Sequence, residues 1–232
     1  YLPSVSGLLL EKEIKSLTKV MSMPQEPFTA VLGGSKISDK VEIVERLSEI
    51  AQDIVIGGGM AATFLKSRGL QVGRSLVEES FIEITRHLEN MCHDNECNIH
   101  LPLDVILSTR FEQDGDYREC SVGEIKEEEM IMDIGTKTKN KYRSILEKSA
   151  TVLWNGPMGV FEWDQYQSGT RIIAETLAKG PQVSVIGGGS TVDAISKFGF
   201  ESQMDHVSTG GGAALEFLRE GTLSCIEALM DK

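Results

Sequence analysis

The run Phe28-Thr-Ala-Val-Leu-Gly-Gly-Ser-Lys36-Ile-Ser-Asp-Lys40-Val-Glu-Ile-Val-Glu-Arg-Leu47 decides the fold. Its first five residues are apolar or β-branched, as in a strand covered on both faces. Two glycines then turn the chain. Val41, Val44 and Leu47 recur at helical spacing after the turn. The unit strand, glycine turn, helix returns along the chain. Asp53–Ile56 leads into Gly57-Gly-Gly and the helical Ala61-Ala-Thr-Phe-Leu-Lys, and Val183–Ile186 into Gly187-Gly-Gly and Thr191-Val-Asp-Ala-Ile-Ser-Lys. His206-Val-Ser-Thr leads into Gly210-Gly-Gly and Ala213-Ala-Leu-Glu-Phe-Leu.

Recurrent βα units predict an α/β fold: a three-layer, doubly wound (Rossmann-like) parallel sheet of about six strands with helices on both faces. The strands are expected near 28–32, 53–56, 99–107, 151–154, 183–186 and 205–208, all in one sheet. Residues 28–232 read as that domain. Residues 1–27 read as a connector and helix packing on it, with apolar Leu10, Ile14, Leu17 and Met21 and with Pro24 and Pro27 as the stop. The polar stretch from Gln113 to Met130 has no strong periodicity and is expected to be solvated surface.

In an open parallel sheet, glycines at the carboxyl ends of strands line the ligand crevice. They let a ligand approach the backbone, and the following helices present free N–H groups there. Four such turns in 232 residues point to an anion cradle. Lys36 and Lys40, four apart, are expected to stack on one face of a helix's first turn, an anion-seeking arrangement. Neither the Gly-x-Gly-x-x-Gly dinucleotide fingerprint nor the P-loop pattern is present. Still, an NAD-dependent Rossmann-like enzyme stays open as an alternative, as does a nucleotide-binding scaffold without catalysis.

Composition removes other classes. With 23 Lys+Arg against 35 Asp+Glu, the net charge of -12 disfavours a nucleic-acid or anionic-membrane surface. The apolar runs are too short to span a bilayer and no signal peptide is visible. Cys92 and Cys97 lie among His87, His93 and His100. Without a Cys-x-x-Cys pair they read as reduced thiols of a cytoplasmic protein rather than a zinc site.

The segments Gly33-Gly-Ser-Lys-Ile-Ser-Asp-Lys40, Gly57-Gly-Gly-Met-Ala-Ala-Thr-Phe-Leu65, Leu101-Pro-Leu-Asp-Val105, Met132-Asp-Ile-Gly135, Val152-Leu-Trp-Asn-Gly-Pro-Met-Gly-Val-Phe-Glu162 and His206-Val-Ser-Thr-Gly-Gly-Gly-Ala213 resemble phosphoglycerate kinase. The resemblance spans the chain but only the C-terminal, nucleotide-binding half of that enzyme. With Tyr1 rather than Met at its start, the chain is expected to be a fragment lacking the N-terminal domain that binds 3-phosphoglycerate. The resemblance implies reversible phosphoryl transfer between 1,3-bisphosphoglycerate and ADP, with ATP/ADP and Mg2+, in a cytoplasmic monomer.

By similarity Lys36 and Lys40 would contact nucleotide phosphates, with Lys36 closest to the transferring group. Gly34, Gly58, Gly59 and Leu76 would line the nucleotide pocket, with Asn155 and Pro157 beside it and Glu162 on the ribose hydroxyls. The amides of Gly188, Gly189 and Thr191, with those of Gly211 and Gly212, would face the phosphates and the transition state. Three positions depart from the family's pattern. Ser190 stands where an Asp usually helps hold magnesium–nucleotide, so no protein metal ligand is carried over. Ile131 replaces a small residue near the adenine, and Thr136 replaces a common proline. Ser190 stays among the nucleotide-binding candidates.

Overall fold

The computed structural model describes residues 7–208 and 210–222. In chain order the elements are α1 (Leu8–Ser22), β1 (Phe28–Leu32), α2 (Val41–Ser48), β2 (Asp53–Ile56), α3 (Met60–Ser67), α4 (Ile82–Asp94) and β3 (Asn98–His100). Then come β4 (Asp104–Ser108), β5 (Tyr117–Ser121), β6 (Met130–Ile134), α5 (Thr136–Leu146), β7 (Thr151–Asn155), α6 (Ser168–Lys179), β8 (Val183–Gly187), α7 (Gly189–Phe198), β9 (His206–Val207) and α8 (Gly212–Glu220). Among the described residues no helix is long and apolar enough to cross a membrane. The opening Tyr1–Ser6 connector lies outside the described residues.

Six strands form one parallel sheet in the order β3-β2-β1-β7-β8-β9. The chain runs outward from β1 to β3, then returns beside β1 at β7 and runs out the other way. That reversal is the doubly wound switch point. Alternation along each strand feeds two cores. Phe28, Ala30, Leu32, Ile54, Ile56 and Leu153 pack with α1, α2, α3, α4 and α8 on one face. Val31, Val55, Val152, Trp154 and Ile186 pack with α5, α6 and α7 on the other. Burial on both faces is why these strands read as unbroken apolar runs. Leu17, Val20 and Met21 bring α1 into the first core.

One expectation fails, and one stretch holds structure that its sequence does not show. The strand expected at 99–107 is two strands in two sheets, because Leu101-Pro102-Leu103 separates β3 from β4. Proline brings no N–H to a ladder and fixes its own φ, so the chain leaves the large sheet there. The polar stretch 113–130 also contains β5, which pairs antiparallel with β4 in a second sheet, β5-β4-β6. Most of β5 is exposed or half-buried and only Cys120 is fully covered, so it carries no apolar alternation to read.

The main sheet ends in register. Leu32 pairs with Ile56 and with Asn155, and Asn155 pairs with Gly187. The turns after β1, β2, β7 and β8 therefore leave the sheet along one rim.

Candidate nucleotide site

The turns after β1, β2 and β7 are knitted together by their backbones. The Gly33 and Gly34 amides donate to the Asn155 and Pro157 carbonyls, each at 2.9 Å, and the Gly58 amide donates to Met158 O at 2.9 Å. The approach is close enough to demand glycine. A Cβ at Gly58, whose φ is +64°, would lie 2.6 Å from the Gly34 nitrogen. The Gly156 amide donates to Thr191 Oγ1 at 2.6 Å, fastening the β7 turn to α7.

Two joined cavities lie over this rim. The smaller, about 180 Å³, is lined by Gly34, Ser35, Lys36, Asp39, Lys40, Asn155, Gly156, Pro157, Gly188, Gly189, Ser190, Thr191 and Leu215. The larger, about 490 Å³, is lined by apolar residues including Leu76, Phe111, Met130, Ile131, Met132, Met158 and Val160, with Gly58, Gly59, Arg74, Ser75 and Glu162. Gly34, Ser35, Pro157 and Ser190 belong to both linings, so the cavities are continuous.

The small cavity is rich in donors. Lys40 is 8% exposed and its Nζ donates to Asn155 Oδ1 at 2.8 Å. Burial pushes its pKa down against the opposing charge of Asp39. The buried Asn155 Nδ2 has no hydrogen-bond partner among the described residues. In α7 the backbone bonds begin with Thr191 and Val192, both donating to Gly188 O at 3.1 Å, so the Gly189 and Ser190 amides open the helix toward the cavity. An ammonium, an amide N–H2 and a helix N-terminus together suit phosphate oxygens. Asp39 is the lining's lone carboxylate. Among the described residues no group of three or more His, Cys, Asp or Glu could hold a metal ion. Such a set fits a hydrated Mg2+ carried on phosphates beside one carboxylate, not a protein cage.

The expected helical stacking of the lysines does not occur. α2 starts at Val41, and residues 36–40 form a turn in which the Lys40 amide donates to Ile37 O at 2.8 Å. Glu78 Oε2 takes the Ile37 and Ser38 amides at 2.6 and 3.1 Å, which holds that turn out of the helix. Lys36 is exposed at the mouth and Lys40 is buried at the floor. Glu162 is exposed on the rim of the large cavity, on a loop whose Phe161 and Glu162 carbonyls both accept from Lys197 Nζ at 3.0 Å.

Of the residues expected from the sequence, Gly34, Lys36, Lys40, Gly58, Gly59, Leu76, Asn155, Pro157, Glu162, Gly188, Gly189, Ser190 and Thr191 are brought together here. Gly211 and Gly212 line neither cavity. They follow β9, an edge strand one place further out, and only Leu215 of α8 reaches the lining. Sequence reasoning missed Arg74, Ser75 and Phe111. Phe111 is exposed and its ring lies 4.8 Å from that of Trp163, an arrangement made by the second sheet and invisible in a polar run.

A family model described as phosphoglycerate kinase matches residues 1–221. The solved phosphoglycerate kinase of Coxiella burnetii is 36% identical, with TM-score 0.93 over 97% of this chain and 58% of its own. That of Pyrococcus horikoshii OT3 is 33% identical, with TM-score 0.85 over 98% of this chain and 57% of its own. The chain thus spans somewhat more than half the length of these relatives.

Proposed function

The chain belongs to the phosphoglycerate kinase family, and on that premise we propose that its two cavities form the ADP/ATP-binding half of a reversible phosphotransferase. The small cavity takes the phosphates and the large apolar one takes the base and sugar. The observation that carries this reading is Lys40, an ammonium buried at the floor of a donor-lined cavity with no ion pair among the described residues. A buried cation in such surroundings calls for an anion.

In the transfer, an oxygen of the ADP β-phosphate attacks the acyl phosphorus of 1,3-bisphosphoglycerate. The bond from phosphorus to the acyl oxygen breaks, and the carboxylate leaves as 3-phosphoglycerate. This chain's residues contribute charge and placement rather than covalent chemistry. Lys36 at the mouth meets the charge on the transferring group. Lys40, Asn155 Nδ2 and the Gly189 and Ser190 amides that open α7 fix the nucleotide phosphates. Asp39 and the hydroxyl of Ser190 are the groups that would face a hydrated Mg2+ carried with those phosphates, and the ion would supply charge neutralisation. Gly211 and Gly212, one strand outward, would face the incoming acyl phosphate. Contacts to the rest of 3-phosphoglycerate belong to the family's other domain, outside residues 1–232. The protein acts as a monomer in the cytoplasm.

Titration calorimetry of this chain with ADP and Mg2+ tests the reading. Binding with a dissociation constant at or below the millimolar range is expected, with little turnover of 1,3-bisphosphoglycerate by this chain alone. Absence of binding at millimolar ADP would reject the nucleotide assignment, and fast turnover would reject the division of labour between domains.

A further inference from the structure

Between Val72 and Glu78 the chain crosses from the second sheet to the lysine turn. At its start the Arg74 amide donates to Glu129 O at 2.6 Å, and Ser75 Oγ accepts the Ile131 amide at 2.9 Å. A Cβ at Gly73, φ +56°, would collide with the Glu129 and Lys126 carbonyls, so this end is pressed against the second sheet. In the middle, Arg74, Ser75 and Leu76 form one wall of the large cavity. At its end the Glu78 amide donates to Thr63 Oγ1 of α3 at 3.2 Å. The Glu78 carboxylate reaches across to the Ile37 and Ser38 amides, directly after Lys36.

We propose that Glu78 is a positioning residue: by gripping the Ile37 and Ser38 amides it ties the Leu76 wall of the large cavity to the lysine turn of the small one. It touches no ligand in this reading and acts through the backbone that carries Lys36 and Lys40. Two amide bonds to one oxygen fix the turn's direction. Partial burial pushes the Glu78 carboxyl up, but its bonds to Ser38 and Ile37 and the charge of Lys36 outweigh that and hold it below the ordinary carboxylate value. The carboxylate is thus ionised whenever the site is working. A nucleotide filling the large cavity would press on the same segment that sets the lysines, so base and phosphate recognition are coupled through one side chain.

The inference rests on the nucleotide reading, and its test separates the two. ADP and AMP are titrated calorimetrically into the wild-type chain, Glu78→Ala and Glu78→Gln, with thermal midpoints measured alongside. In this reading the β-phosphate of ADP, which AMP lacks, is the group that meets the lysine turn. Glu78→Ala is expected to weaken ADP about tenfold and AMP less than about twofold. Glu78→Gln keeps an oxygen for both amides and is expected to restore most of the ADP preference. Equal weakening of ADP and AMP, an unchanged ADP/AMP ratio in Glu78→Ala, or a Gln variant with no ADP preference would overturn the proposal. If Glu78→Ala fails to fold, the Gln variant alone decides through its ratio. If the wild-type chain binds neither nucleotide, the function reading falls first.

Discussion

At the scale of single residues, the two lysines that look alike in the sequence do different work. Lys40 loses hydration in the folded state and gains one hydrogen bond, from its Nζ to Asn155 Oδ1. Replacing it with Met removes the desolvation cost but leaves Asn155 Oδ1 without its partner, two effects of opposite sign and each of about 1–3 kcal/mol. Lys40→Met should therefore change stability by no more than about 1 kcal/mol in urea denaturation while weakening ADP about tenfold or more. A loss of several kcal/mol with unchanged affinity would make Lys40 structural. Asp133 behaves in the opposite way to a surface acid. Complete burial raises its pKa from 3.8 to about 7, opposed by bonds from the Gly169 and Ile134 amides and from Ser168. The folded state then holds a proton that the unfolded state has released. Stability from this group is present below about pH 4 and is lost as pH rises through about 7, by at most about 4 kcal/mol. Denaturation midpoints between pH 5 and 8 should fall in the wild type and lose this component in Asp133→Asn. Equal slopes for both proteins would contradict the assignment.

At the scale of elements, the second sheet shows where the sequence stops being legible. β1, β2, β7 and β8 could be read because burial on both faces leaves continuous apolar runs, and glycine turns mark where they end. β5 could not, because only Cys120 of it is buried and what holds it is its antiparallel pairing with β4, which leaves no apolar alternation in its own residues. The same holds for the site. Glycines and lysines announced the small, donor-lined cavity, while Phe111, Arg74 and Glu78 arrive from segments with no period of their own. α5 is a further case, since its sequence offers no capping side chain of its own at Gly135. The cap comes from β4: the Asp104 carboxylate accepts the Lys137 and Thr138 amides, each at 2.8 Å, and the Thr138 hydroxyl at 2.6 Å. These bonds hold the Asp104 carboxyl below its ordinary value although burial pushes it up. Asp104→Ala strips the helix of this cap and leaves buried donors unpaired, so a loss of about 2 kcal/mol is expected by chemical denaturation. Asp104→Asn should lose less. Loss below about 0.5 kcal/mol for Ala would show that water replaces the carboxylate without penalty.

At the scale of the whole molecule, the sheet separates two cores that share β1, β2, β7 and β8 between them. Leu17 of α1 is buried in one core, with Phe28, Leu32 and Ile54, although α1 precedes the first strand. Trp154, fully buried, lies in the other core with Tyr142 and Ile173. Side chains alternate up and down each strand, so loosening one face frees the backbone whose other side holds the second core in place. Loss of packing on α1 should therefore be felt at Trp154, across the sheet. Leu17→Ala removes most of a buried side chain and should cost about 2–5 kcal/mol. If the molecule unfolds as one unit, the urea midpoint read from Trp154 fluorescence, with Trp163→Phe as background, should fall together with the midpoint read from helix circular dichroism. A Trp154 transition that stays in place while the helical signal moves would mean that α1 and its core come apart first. The small cavity over the turns after β1, β7 and β8 would then stand without α1, a detachable arm rather than a wall of the domain.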